Sequence, residues 1–141
     1  MQLEIAEKIL AASRAKAREM GLKPLAITVL DARGALRTMI AEDGASLHRA
    51  DVAIGKAYGA ISMGVSSRAL GERAEKQAYF VAAASHICGG KLVPVAGGVL
   101  IHDDNAQIIG AVGISGDSSD NDEIAACHGI SSVGLTPHTG A

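Results

Sequence analysis

The chain has 141 residues, 48% of them hydrophobic and 20% charged, with a formal net charge of −2; this is enough for one domain with its own core and is not the composition of a disordered segment. Its aromatic side chains are Tyr58, Tyr79 and Phe80, and with no basic excess they provide neither the stacking platform nor the positive footprint of a nucleic acid binder. No stretch is long and apolar enough to span a bilayer.

Residues 2–21 predict an amphipathic helix, with Leu3, Ile5, Ala6, Ile9, Leu10 and Ser13 on one face and Gly21 as its stop. Pro24 leads into a strand over 25–30, and Asp31-Ala32-Arg33-Gly34 turns the chain into a second strand over 35–41. Asp43-Gly44-Ala45 breaks that strand, and Ser46 is the expected cap of a helix reaching about Met63. A short helix follows from Ser66-Ser67 through Ala74, then another over 76–87, ended by Gly89-Gly90. Residues 92–95, 98–102 and 107–115 are strand candidates, the last two joined by the polar turn Asp103-Asp104-Asn105-Ala106. A final helix runs from Asp120 to about Ser132, and the tail 135–141 is expected to fray. Hairpin-like groups separated by helices imply an α/β (α+β) domain over 1–141, an antiparallel sheet of about five strands with helices packed on it.

The most informative segment is 93–123, VPVAGGVLIHDDNAQIIGAVGISGDSSDNDE. Its second strand passes through Gly110, Gly113 and Gly116, where another backbone or a ligand can come close, and it delivers the chain to Ser118-Ser119-Asp120, a helix cap. Neither GxxxxGK[ST] nor GxGxxG is present, so this is no phosphate loop. The elements VPVAGG at 93–98, GAVGISG at 110–116 and SSDNDE at 118–123 carry a resemblance. So do the earlier VLDARG at 29–34, DGA at 43–45 and GKA at 55–57. In that order they resemble the GlcG/HbpS-type haem-binding proteins, which include the C-terminal domain of PduO-type corrinoid adenosyltransferases. The resemblance covers nearly the whole chain and implies a profilin-like sandwich, symmetric oligomers built from dimers, and haem as a cofactor.

The start MQLEIAEKIL lacks the continuous apolar core of a secretion signal. The cysteines, Cys88 and Cys127, suggest no disulfide framework, so the expected setting is a reducing cytoplasm. Some exported members of the resembled family differ in this respect.

Several residues carry chemistry. His48 is a candidate haem-iron ligand or acid-base group, against a solvent-facing reading beside Arg49 and Asp51; the resemblance does not extend to it. Lys56 lies two helical turns on, within the matching GKA element, and is expected to face a ligand and hold a carboxylate or haem propionate. Arg68 is a second anion partner, unless it is spent on a surface pair with Glu72. Gly97, Gly98 and Ser115 are expected to line the ligand site. Glu123 could turn back toward Gly97-Gly98 as a general base, although capping explains most of the acidic turn. That turn lacks EF-hand spacing, and His86, Cys88, Cys127 and His128 lack the spacing of a zinc site.

Three functions follow, one of them an accessory or sensory subunit with no chemistry of its own. The resemblance implies binding of haem or a related tetrapyrrole. The alternative is a small enzyme, an isomerase, hydratase or hydrolase, acting on an organic acid in a catabolic pathway through a Lys or Arg anchor and a Glu or His base. A site shared between subunits suits either.

Overall fold

The computed structural model describes residues 1–141. Its elements are α1 (Leu3–Glu19), β1 (Ala26–Asp31), β2 (Leu36–Ala41), α2 (Arg49–Met63), α3 (Ser67–Lys76), α4 (Ala78–Ile87), β3 (Gly98–His102), β4 (Ile108–Ser115), α5 (Ser119–Ser132) and β5 (Thr136–His138). The strands lie in the order β2-β1-β4-β3-β5, and every neighbouring pair is antiparallel. This is the expected mixed α/β, profilin-like sandwich.

Strand alternation divides the core into two layers. Ile27, Val29, Val99, Ile101, Val112 and Ile114 face one way, onto Ala6, Ile9 and Leu10 of α1 and Ala125, Ala126 and Ile130 of α5. Leu30, Leu100 and Ala111 face the other way, onto Ala57 and Ala60 of α2. A third, smaller cluster joins α3 and α4 through Leu70, Val81, Ala84 and Leu92.

Small residues explain how closely α2 lies on the sheet. A Cβ at Gly113 would overlap the Ala53 carbonyl oxygen, and one at Gly98 would overlap that of Lys56. The glycines of β3 and β4 therefore admit a helix backbone, the first of the two uses their positions allowed.

Three expectations need correction. Residues 92–95 form no strand. Val93 donates its N–H to the Gly55 carbonyl (3.2 Å), and the segment crosses α2 where Gly55 and Gly59 leave room for Val93 and Leu92. The fifth strand lies instead in the tail, with Ile101 opposite Pro137 and His102 opposite Thr136; a proline is tolerated there because β5 is an edge. The tail is pinned rather than frayed, since Ser66 donates its N–H to the Gly140 carbonyl (3.0 Å) and its hydroxyl to that of Thr139 (2.7 Å). Ser46 caps nothing: α2 begins at Arg49, with His48 in the cap position.

Candidate functional site

Five of the elements converge where β4 ends and α5 begins. Ser118 caps α5 by accepting the Asn121 N–H (3.2 Å), as its sequence suggested. Asp117 accepts from the Lys23 and Ser118 amides and from Asn121 Nδ2, and these bonds hold its carboxyl at about 2. Asp122 turns inward, where its Oδ1 accepts the Asp117 N–H and its Oδ2 meets Lys56 Nζ at 3.2 Å.

Lys56 is thus an interior residue. It is 2% exposed, Asp122 is 1% exposed, and the ammonium also donates to the Ile114 carbonyl at 2.9 Å. Burial pushes the lysine pKa down and the aspartic acid pKa up, and each partner's charge opposes the other's shift. Gly97, at φ +122°, completes this node: a Cβ there would press on both Lys56 Nζ and the Ile114 oxygen. Beside it, Ser67 Oγ accepts the Gly98 N–H at 2.6 Å and so ties α3 to β3.

Arg68 is the next member outward. Its Nε donates to both carboxylate oxygens of Glu123 (3.2 and 3.0 Å) and its Nη2 donates to Asp120, rather than to Glu72. These carboxylates push its pKa further upward. Glu123 therefore faces Arg68, not open space above Gly97-Gly98. Ser115 is buried and accepts a hydrogen bond from Arg49 Nη1 at 3.2 Å.

Lys56, Gly97, Gly98, Arg68, Ser115 and Glu123 are accordingly gathered into one polar seam, but the seam is filled by its own partners. His48 stands apart from it. Its side chain is 78% exposed and its Nδ1 lies 2.9 Å from Asp51 Oδ2, so it does not share the buried face of Lys56. No group of three His, Cys, Asp or Glu side chains is arranged to hold a metal ion. Cys127 lies close enough to Glu123 for its charge to be felt, and with burial as the larger cause its thiol is pushed up to about 11.

The open concavity of the molecule is elsewhere. A cleft of about 540 Å³ lies outside α3, lined by Glu72, Arg73, Lys76, Gln77, Tyr79 and, from the tail, Ala141 among others. Sequence reading missed this place, and its only signal was a tyrosine just after the basic Arg73 and Lys76. It also missed Asp122 as the partner of Lys56, because the pair is 66 positions apart. No helix is long and apolar enough to cross a membrane.

Comparisons with solved structures place this architecture among known ones. The structure described as a PduOC–haem complex is 24% identical, with a TM-score of 0.87 and 99% of each chain covered. A double mutant of HbpS from Streptomyces reticuli is 25% identical with a TM-score of 0.79, over 94% of this chain and 86% of that one. The protein ORFY of Klebsiella pneumoniae is 24% identical with a TM-score of 0.80, over 93% and 88%. No functionally curated protein matches the chain. The model of the family described as haem degrading protein HbpS-like matches residues 1–131, and the chain belongs to that family.

Proposed function

We propose that the protein binds haem or a closely related tetrapyrrole. Membership of the HbpS-like family over residues 1–131 carries this reading, and the same fold in a chain crystallised with haem supports it. The residues present suit such a ligand. Imidazoles are available at the surface, His48 among them, whereas the Cys127 thiol, at about 11, stays protonated and is a poor thiolate ligand. Exposed apolar side chains offer an open surface for a flat ring, one that a second subunit would cover.

The organic-acid enzyme is the weaker reading. Its anchor Lys56 is buried against Asp122, and its base Glu123 is engaged with Arg68. Titrating the protein with haem and following the Soret band tests the proposal. A saturable red shift is expected, and a spectrum equal to that of free haem would refute it.

A further inference from the structure

Helix α4 packs inward through Val81 and Ala84, onto Leu70 and Leu92. Its other side carries Tyr79, Ala82, Ala83, His86 and Ile87, all exposed, with Tyr79 at 75% and Ile87 at 86%. Their spacing of i, i+3, i+4, i+7 and i+8 makes one continuous stripe. The helix sequence AYFVAAASHI contains no Lys, Arg, Asp or Glu.

At its N-terminal end the stripe runs into the cleft of about 540 Å³ through Tyr79. There the charge changes. Arg73 and Lys76 line the cleft beside Glu72 and Ala141. Arg73 is already oriented, with Nε donating to Gln77 Oε1 at 3.1 Å and its guanidinium 3.6 Å above the Phe80 ring. At the other end of the stripe stands His86. Only His48 and His138 have a ring nitrogen bonded within the chain, so the His86 imidazole is free to ligate.

We infer that this stripe is a haem-docking surface, with His86 as the iron ligand, Ala82 and Ala83 as the floor under the ring, and Arg73 and Lys76 as partners of the propionates. The inference rests on the haem reading above and assigns that ligand a place. A porphyrin is flat and apolar, with its anionic groups along one edge. The surface matches that pattern: small side chains in the middle, cations at one end only, and an imidazole at the other. From Tyr79 to His86 the helix rises about 10 Å at 1.5 Å per residue, which is comparable to the reach from a haem iron to its propionates. The surroundings of His48 are different, since its Nε2 is open but its neighbours are the charged Arg49 and Asp51 rather than an apolar stripe.

The test is haem titration of the full chain and of His86→Ala, His48→Ala, Lys76→Glu and Ala83→Glu, with circular dichroism to confirm that these exposed substitutions leave the fold intact. His86→Ala should lose the imidazole-ligated Soret band and regain it with free imidazole, while His48→Ala keeps it. Lys76→Glu should weaken uptake by about fivefold, as for an exposed charge contact. Ala83→Glu should abolish uptake. An unchanged His86→Ala spectrum together with a loss in His48→Ala would overturn this docking surface and leave haem binding standing. No Soret shift in the wild type would instead refute haem binding itself. A lowered mass for Ala83→Glu in light scattering, with an unchanged spectrum, would assign the stripe to a second copy of the chain and overturn the inference.

Discussion

Lys56 and Asp122 are held together out of water, 2% and 1% exposed, so each is tolerable only because the other is there. Lys56→Ala leaves a buried carboxylate unpaired and should cost about 3–5 kcal/mol of stability. Urea denaturation should show most of that loss recovered when Asp122→Ala is added, and a cost under about 1 kcal/mol would mean that water reaches Asp122. The partner experiment is pH-dependent. Burial already holds the lysine below its ordinary 10.5, and Asp122 is what raises it, so Asp122→Asn should lower it further. Between that lowered folded value and 10.5 the unfolded chain binds a proton that the native chain does not, so stability rises with pH across the window. The deficit of Asp122→Asn should therefore shrink as pH rises through that window below 10.5; a deficit that grew would contradict the sign. These residues also mark how far the site was legible. The sequence singled out Lys56, Arg68, Glu123, Gly97, Gly98 and Ser115, and they do converge, because each belongs to a segment that bounds the same junction. That Lys56 is spent on Asp122 and Arg68 on Glu123 depends on contacts across 66 and 55 positions, which no local spacing encodes.

At the level of elements, β4 shows why its glycines are needed. Gly113→Val would push α2 off the sheet through the Ala53 carbonyl, an overpacking cost of about 3 kcal/mol or more. Gly21→Ala meets nothing within 4 Å, but it places a Cβ at φ +67° and should cost about 1 kcal/mol. Thermal melts that ranked the two equally would dismiss close helix–sheet packing as the reason. The tail yields a different expectation. His102 and His138 stack with ring centroids 4.7 Å apart, and His102 Nε2 is buried without a partner. Burial, then the His138 charge, pushes the His102 pKa down, with Asp103 opposing. Between that folded value and the ordinary 6.5, His102 takes a proton when the tail is undocked and refuses it when the tail is docked, so β5 docking weakens as pH falls through this window. Hydrogen exchange at the Ser66 amide, which is bonded to Gly140, should lose protection as pH falls below 6.5. His102→Phe should remove that dependence, and protection independent of pH in the wild type would refute the mechanism. α1 was legible because its buried residues recur at helical spacing, β3 and β4 because they are apolar runs joined by a polar turn, and α5 because Ser118 caps it ahead of an acidic first turn. β5 was not, because a three-residue edge strand containing Pro137 looks like a loop, and residues 92–95 looked like a strand although their apolar side chains answer to glycines of α2.

For the molecule as a whole, the accessible surface is 6836 Å², against about 6,800 Å² for a compact monomer of this mass. The chain is therefore fully collapsed, and its exposed apolar side chains are not the product of a loose fold. They nevertheless occur on most sides: Leu3 on α1, Leu36 on β2, Leu47 before α2, Tyr79 and Ile87 on α4, Val95 before β3 and Ile124 on α5. β2 is in addition an open edge, hydrogen-bonded to β1 alone, and such edges need covering. We propose that further copies of the chain bury these surfaces, through the same area term that collapsed the core. Light scattering at micromolar concentration should return a multiple of the 14.3 kDa chain mass, an even multiple if the assembly is built from two-fold dimers. Leu36→Asp and Leu47→Asp, both at exposed positions, should lower that mass without changing the far-ultraviolet circular dichroism, since neither side chain enters the core. A wild-type mass near 14.3 kDa would show that the chain leaves these surfaces to solvent and that any ligand site is complete within one copy.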